Sequence, residues 1–271
     1  MQLVDIGANL THRAFREDLP EVLARARSAG VVAIVVTGTS VEESRRAIDL
    51  SGTEKENIFA TCGIHPHHAR QCDVTTIPAL RELAMHPGVV AIGECGLDFN
   101  RNYSPHPDQE KWFAAQVELG CELRKPLFLH SRDAYPRFVQ VLKTYREKLP
   151  NAVAHCFTGS RQELHSCLDL GFYIGITGWI CDERRGAHLL ELVREIPPDR
   201  LLVETDSPYL APRDLRPQPK ARRNEPAFLP HILHAVARAL GRRAEEVAAE
   251  TTRNATALFG LTAREPLPAA A

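Results

Sequence analysis

The sequence of 271 residues carries no excess of charge of either sign. Its 33 Lys and Arg residues stand against 34 Asp and Glu residues, so the formal net charge is -1 at pH 7. This balance excludes a globally basic nucleic-acid-binding protein. A polyanionic ligand would have to be met by a local basic patch or by metal ions, because the protein as a whole supplies no attractive field.

Long apolar runs and paired cysteines are also missing. The strongest apolar run, Val31–Val36, is far too short to cross a bilayer, and the N-terminus lacks the basic and apolar regions of a signal peptide. The seven cysteines are scattered and never spaced C-x-x-C, which argues against a disulfide framework and a zinc ribbon. We therefore expect a monomeric cytoplasmic protein with no membrane association and no obligate protein partner.

Short apolar runs alternate along the chain with segments of helical periodicity, and the composition, 44% hydrophobic and 25% charged, is globular. Helices are predicted at His106–Leu123, Ala134–Leu149, Ala227–Leu240 and Ala244–Phe259. Strands are predicted at Leu3–Ile6, Val31–Val36, Ile58–Cys62, Val89–Ile92, Pro126–Leu129, Ala152–Ala154, Phe172–Ile176 and Leu201–Val203. This α/β pattern predicts a single TIM-type (β/α)8 barrel over residues 1–265, with a disordered tail at 266–271.

Polar side chains with metal-binding or proton-transfer capacity follow most of these strands. In a parallel barrel the carboxyl ends of the strands meet on one face, where the chemistry collects. We therefore predict a site at this face. Its candidate residues are Asp5, Asn9, His65, His67, Glu94, Asp98, His130, Asp133, His155, Glu204 and Asp206.

Ordinary structural roles remain open for several of these residues. His130 and His155 each end an apolar run, so each could be a hydrogen-bonded histidine of the core. Asp206 precedes Ser-Pro, so it could be only a turn-forming residue. Glu94 directly follows a buried strand, where an unpaired carboxylate would be costly, so a metal or a cation must compensate it. His and carboxylate ligands without thiolate suit Zn, Mn or Mg in hydrolytic sites. Because no Cys–His–acid order is present, we interpret the cysteines beside these residues as small packing residues.

Five ordered motifs carry a resemblance to a known family over nearly the whole chain, to about Phe259. They are DIGANLT at 5–11, GIHPH at 63–67, GECGLDF at 93–99, HCFTG at 155–159 and ETDSPYL at 204–210. The chain resembles the TatD family of metal-dependent deoxyribonucleases. The segments NRNY at 100–103, WICDERRG at 179–186 and RRNEP at 222–226 make it most similar to the subgroup of TatD proper.

The resemblance implies an amidohydrolase-like barrel and a metal-dependent exonuclease that trims single-stranded DNA, and also RNA, from the 3′ end, in DNA repair or DNA degradation. Glu94, His130 and His155 would then be metal ligands, and Asp206 a ligand or proton acceptor. His65 would contact phosphate or take part in catalysis, and Glu204 would support the site as a further catalytic carboxylate.

The chain departs from most relatives at Gly7-Ala8-Asn9, where they carry His-x-His. Losing two imidazoles should weaken one of two metal positions, leaving Asp5 and Asn9 as a weak or vestigial first-metal position. We expect one firmly held ion and a second that binds weakly. Mg²⁺ tolerates an oxygen-rich, hydrated sphere and is the first choice, with Mn²⁺ or Zn²⁺ as alternatives.

Substrate phosphates would be met around the rim of the barrel by His67, Arg101, Arg132, Arg222 and Arg223. The last two belong to a Pro-rich loop, residues 211–226, with five basic residues against two acidic ones. The charges of this loop could equally be exposed to solvent without contacting a substrate. Tyr103 and Trp179 offer surfaces on which bases of any kind would stack, although Trp179 also suits the core.

Two other classes of function remain. The same metal centre could hydrolyse another ester or amide, such as D-aminoacyl-tRNA. A binding protein that has lost catalysis is the other alternative, but a binding module has no need to hold Glu94, His130, His155 and Asp206 together.

Overall fold

Eight parallel strands pair in chain order and enclose the centre of the molecule. The computed structural model describes residues 1–51 and 57–261, so the tail predicted at 266–271 lies outside the described residues. The strands are β1 (Leu3–Ala8), β2 (Val31–Val36), β3 (Ile58–Cys62), β4 (Val89–Asp98), β5 (Leu127–Arg132), β6 (Ala152–Ala154), β7 (Tyr173–Ile176) and β8 (Leu201–Val203). They confirm the predicted (β/α)8 barrel.

Helices follow the strands on the outside of the barrel. They are α1 (Leu19–Ser28), α2 (Val41–Ser51), α3 (Thr76–Ala84), α4 (His106–Leu123), α5 (Tyr135–Lys143), α6 (Arg161–Asp169), α7 (Leu189–Leu192), α8 (Leu229–Leu240) and α9 (Ala244–Phe259). Along the part of the chain that the structure describes, no helix is both long and apolar enough to span a membrane.

Two predicted helices are shorter in the structure than their apolar periodicity indicated. α5 ends at Lys143 instead of Leu149, because the Thr144 hydroxyl donates to the carbonyl of Val141 and the chain then turns. α8 begins at Leu229 instead of Ala227, after a 3₁₀ turn at Pro226–Phe228.

Strand β4 extends six residues beyond its predicted end at Ile92 because it contains a bulge. Gly93 pairs with Phe128 and Cys95 with Leu129, so Glu94 is the extra residue. Gly93 and Gly96 have φ values of +139° and +150°, and a Cβ at either would overlap a carbonyl oxygen of β5. The two glycines therefore permit the bulge, which re-aims Glu94 relative to a regular strand.

The apolar core has two parts. The larger lies between the strands and the surrounding helices, and the smaller includes Val4, Ile6, Phe128 and Leu202 together with Leu258 of α9. α9 lies near the start of β8, because the Asn254 amide donates to the carbonyl of Leu201. Apolar side chains therefore fill this end, which leaves the carboxyl ends of the strands for polar groups.

The barrel closes at a seam between β1 and the segment that follows β8. Ala8 bridges to Ser207, the Asn9 amide donates to the carbonyl of Ser207 over 2.7 Å, and the Asp206 amide donates to the carbonyl of Gly7 over 2.8 Å. Below this point the buried Asp5 carboxylate accepts from the amide and hydroxyl of Thr205 over 2.9 and 2.6 Å. The two ends of the barrel sequence thus hold each other in place.

Candidate active site

Three imidazoles converge on one carboxylate oxygen at the carboxyl end of the barrel. The Glu94 Oε1 atom lies 3.0 Å from His130 Nδ1, 3.4 Å from His65 Nε2 and 3.5 Å from His155 Nε2. Glu94 and His155 are buried, while His130 is partly exposed. Strands β4 and β5 and the segments after β3 and β6 therefore contribute to one centre.

Two of these imidazoles have a second carboxylate on their far side. The Nδ1 atom of His155 lies 2.6 Å from Glu204 Oε2, and the Nε2 atom of His130 lies 3.6 Å from Asp98 Oδ2. The His155 ring can therefore donate one N–H to Glu204 and present its other nitrogen towards Glu94, whereas Asp98 is too far from His130 Nε2 for a hydrogen bond. This arrangement is typical of metal-ligating histidines, since the outer carboxylate fixes the tautomer and orients the ring.

The charges of the centre are strongly coupled. Burial opposes ionisation of Glu94, but the imidazoles of His65 and His155 outweigh it and hold its pKa well below the ordinary value. Burial also opposes protonation of His155, but Glu204 and Glu94 raise its pKa to about 10. The carboxylates therefore favour a positive charge at this centre, whether a proton on an imidazole or a bound cation.

His65 differs from the other two histidines in its hydrogen bonds. Burial lowers its pKa to about 4, so the ring is neutral at pH 7. Its Nδ1 atom accepts from the backbone amide of His67 over 3.1 Å, which places the remaining proton on Nε2. His65 therefore presents an N–H donor to the centre. His67 lies beside it, with Nε2 2.8 Å from Asp98 Oδ2.

Asp206 faces the centre from the seam. Its Oδ1 atom accepts from the Asn9 side-chain amide over 2.9 Å, and burial raises its pKa to about 7. A metal-binding group of His155, Cys156 and Asp206 adjoins the group of His65, Glu94 and His130. Of the two residues predicted for the weaker metal position, Asn9 reaches the site through Asp206, whereas both Asp5 oxygens are engaged by Thr205.

The Glu204 carboxylate packs against two glycines, Gly7 and Gly175, where any larger residue would overlap it. A Cβ on Gly7 would overlap Glu204 Oε2, and a Cβ on Gly175 would overlap Glu204 Oε1. The carboxylate is fully buried and also accepts from the backbone amide of Cys156 over 2.6 Å. Gly7, the first residue of the segment that departs from His-x-His, thus makes room for the carboxylate that orients His155.

Several residues without a specific role in the sequence-based prediction also lie at the site. Asp98, a strand-end residue four positions after Glu94, holds His67 and approaches His130. The thiol of Cys156, which we interpreted as packing, lies among metal-binding groups, and burial raises its pKa well above the usual value. The fully buried Asn224 donates to the carbonyl of Thr205, and its place in the motif RRNEP is the only sequence signal for it.

The predicted rim residues are not equivalent. Arg132 is the last residue of β5, whereas His67 and Arg101 follow β3 and β4. Tyr103 packs edge-on against the His67 ring. Arg222 lines an open groove of about 700 Å³ together with His12 and Tyr209, and Tyr209 follows Asp206 by three residues. Among the described parts of the loop, the Arg222 side chain makes no hydrogen bond or ion pair.

Arg223 is engaged within the protein. Its guanidinium donates to the Asp18 carboxylate over 2.6 and 2.8 Å and to Glu225 over 2.7 Å, and it lies over the Phe15 ring. Arg25 binds the same Glu225 through two nitrogens. Arg213 and Arg216 also have partners, in acidic side chains and backbone carbonyls respectively. The loop is therefore less cationic towards a substrate than its five basic residues indicated.

Comparison with known proteins identifies the family of this chain. The family described as TatD related DNase matches residues 4–260. The chain belongs to the TatD-related DNase family. Two relatives are both described as 3′-5′ ssDNA/RNA exonuclease TatD. The one from Pantoea ananatis is 52% identical and the one from Erwinia amylovora 54% identical, each over 96% of this chain and 100% of the relative.

A solved structure supports the fold as well. The crystal structure of YJJV, a TatD homologue from Escherichia coli K12, superposes with a TM-score of 0.87 at 26% identity and covers 96% of this chain and 98% of its own. The resemblance seen in the five motifs is thereby confirmed, and the barrel is of the amidohydrolase-like type.

The residues present fit the divalent metal on which the family depends. Glu94 supplies an anionic oxygen, and His130 and His155 supply imidazole nitrogens backed by carboxylates. The second nitrogen of His130 is buried without a hydrogen-bond partner among the described residues, and a bound ion or its water would supply one.

The outer carboxylate Glu204 provides a direct test of this fit. Glu204→Gln keeps the size of the side chain but removes the charge that orients His155, so we expect the affinity for Mn²⁺ to fall about 10–100-fold. Isothermal titration calorimetry measures this change. Glu195→Gln, which alters a partly exposed carboxylate bound to Arg161 and His165, is the matched control and should bind as the wild type does. Unchanged affinity in Glu204→Gln would contradict the orienting role.

Proposed function

We propose that this protein is a metal-dependent 3′-5′ exonuclease that hydrolyses phosphodiester bonds of single-stranded DNA and RNA. The observation that carries the proposal is the convergence of three imidazoles on Glu94, with Asp206 opposite, in a chain more than half identical to proteins described as exonucleases of this kind. The seven cysteines are free thiols, which supports action in a reducing compartment such as the cytoplasm.

Glu94, His130 and His155 would hold the metal, with Asp206 as a further ligand or as the proton acceptor. A bound divalent cation polarises a non-bridging phosphate oxygen and lowers the pKa of water. We propose Mg²⁺ as the ion, held firmly at one position and weakly at a second. Calorimetry that showed two equally tight ions would contradict this stoichiometry.

The remaining residues would divide the work of catalysis. The Asp206 carboxylate accepts the proton of the attacking water, and the Asn9 amide fixes the orientation of its Oδ1 atom. His65 is neutral and carries its proton on Nε2, so it donates a hydrogen bond to the phosphate or to the leaving oxygen. Glu204 keeps His155 in the tautomer whose Nε2 faces Glu94.

Substrate ends would enter beside the seam. The groove of His12, Tyr209 and Arg222 opens next to Asp206 and offers two aromatic rings and a guanidinium without a partner among the described residues. Arg101, Arg132 and His67 would contact phosphates from the other strands. Stacking and phosphate contacts do not distinguish bases, so we expect little sequence preference.

A time course of the degradation of single strands labelled at the 5′ or the 3′ end tests the proposed exonuclease activity. With Mg²⁺, a 5′-labelled single strand should give a ladder of shortening products, and a 3′-labelled strand should release labelled mononucleotide at once. A chelator should stop both reactions. A ladder from the 3′-labelled strand would overturn the polarity, and intact DNA alongside cleavage of an aminoacyl ester would favour the alternative hydrolase.

The two neighbouring arginines of the loop should behave differently when they are replaced. Arg222→Ala should weaken single-strand binding and reduce the slope of log affinity against log salt by about 1, because one phosphate contact is lost. Arg223→Ala should leave that slope unchanged but lower the free energy of unfolding by about 1–3 kcal/mol, because Asp18 and Glu225 each lose one of their two arginine partners. Fluorescence anisotropy at several salt concentrations and urea unfolding measure the two effects. Equal salt slopes in Arg222→Ala and the wild type would exclude the phosphate contact.

A further inference from the structure

A second group of metal-binding side chains lies outside the centre around Glu94. It consists of Cys181, Asp214 and His231, whose ligand atoms all lie within 4.8 Å of one another. Cys181 ends the 3₁₀ helix after β7, Asp214 belongs to the long loop after β8, and His231 lies in the first turn of α8. Three separate segments of the chain thus bring a thiol, a carboxylate and an imidazole together.

The order of these groups does not suit nucleophilic catalysis. The Asp214 carboxylate lies between the other two, with Oδ1 2.6 Å from His231 Nε2. Burial and the neighbouring carboxylate raise the pKa of the Cys181 thiol to about 12, so the thiol is not activated as it would be beside a protonated imidazole. The imidazole of His231 is therefore not placed to activate the sulfur as a nucleophile, since its Nε2 atom is engaged by Asp214.

The same set of groups suits a borderline-soft divalent cation. A thiolate, a carboxylate and a neutral imidazole carry two negative charges together, which a divalent ion neutralises. Tetrahedral coordination places sulfur and nitrogen ligands about 3.5 Å apart, and these ligand atoms already lie within 4.8 Å of one another. The Asp214 carboxylate, whose Oδ1 atom is now 2.6 Å from His231 Nε2, would have to shift away from the ring to make room for an ion. Asp214 is exposed and lies on a loop, and its other neighbour, Arg238, is 3.9 Å away and exposed. The carboxylate is therefore able to make this movement.

We propose that Cys181, Asp214 and His231 form an auxiliary metal site for Zn²⁺ or a similar cation. An ion bound there ties the loop after β8 to the 3₁₀ helix after β7 and to α8. Arg222 of this loop lines the groove beside Asp206 together with Tyr209, which lies two residues before the loop. The auxiliary ion would thus order the substrate-facing loop without taking part in hydrolysis.

Cobalt binding to the metal-free, full-length protein tests the site, because a thiolate ligand gives cobalt a charge-transfer band in the near ultraviolet. Excess Mn²⁺, which binds oxygen and nitrogen ligands rather than thiolate, is present to occupy the catalytic centre. We expect the wild type to develop the band with one equivalent of Co²⁺, Cys181→Ser to lose it, and Cys156→Ser to keep it. A band that survives Cys181→Ser, or no band in the wild type, overturns the proposal.

His231→Gln alters a partly exposed residue and gives a test that does not depend on the buried Cys181. The Co²⁺ affinity, measured from the intensity of the charge-transfer band, should fall at least about tenfold. The melting temperature of the metal-free protein should be unchanged. Zn²⁺ should slow tryptic cleavage after Arg213 at least about fivefold in the wild type but not in His231→Gln. Equal Co²⁺ affinity, or equal protection by Zn²⁺, in the two proteins would also overturn the proposal.

Discussion

Replacing Glu94 with Gln should lower the rate of single-strand degradation by at least about a thousandfold and abolish tight metal binding. The Glu94 Oε1 atom is the point on which His65, His130 and His155 converge. An amide keeps the volume of the side chain but supplies neither the negative charge nor the second acceptor oxygen. The three imidazoles would then surround a group that no longer compensates a cation.

Kinetics on a labelled single strand and calorimetry with Mn²⁺ measure the two effects of Glu94→Gln. The matched control is Glu122→Gln, which changes an exposed carboxylate paired with Arg81 and should alter neither quantity. If Glu94→Gln retained activity within about tenfold of the wild type, the metal centre would have to lie elsewhere.

Asp206→Asn should lower the turnover rate by about 100- to 10,000-fold while the affinity for the metal changes by less than about tenfold. Asparagine can still accept a hydrogen bond from Asn9 after its amide rotates, so the geometry at the seam is kept. The group that accepts the proton of water is lost, however. The contrast with Glu94→Gln separates the chemical role of Asp206 from metal retention.

The pH dependence of the rate adds a second readout for Asp206. Burial raises its pKa to about 7, and a bound cation would lower that value by stabilising the carboxylate. Since the protonated carboxyl accepts no proton, the wild-type rate should fall as the pH falls through a pKa at or below 7. A pH profile of turnover should show this acidic limb in the wild type and lack it in Asp206→Asn. An identical acidic limb in both proteins would assign it to another group.

The barrel could be predicted from the sequence because its signals are local. Val31–Val36 and Ala152–Ala154 are apolar runs whose limits agree with the strands in the structure. The end of β4 could not be predicted, since Gly-Glu-Cys-Gly has the composition of a turn. Only the pairing of Gly93 and Cys95 with β5 shows that the strand continues.

Much of the candidate site followed from one rule, that polar residues at strand ends share a face. From the order of the residues alone, the rule predicts that Glu94, His130, His155 and Asp206 lie together. The rule could not show which group a given charged side chain contacts. Whether Arg223 meets a substrate or Asp18 depends on a contact between residues about two hundred positions apart, which no local pattern contains. The same holds for Cys181, whose neighbours come from two later segments.

The seam of the barrel sets a condition on when the proposed nuclease can act. Asp206 takes its position from Gly7 and Asn9, and Thr205 takes its position from Asp5. Strand β1 is therefore synthesised early, but the segment after β8 that pairs with it is synthesised only in the last quarter of the chain. A nascent chain that ends before residue 205 therefore lacks both Asp206 and the seam that positions it.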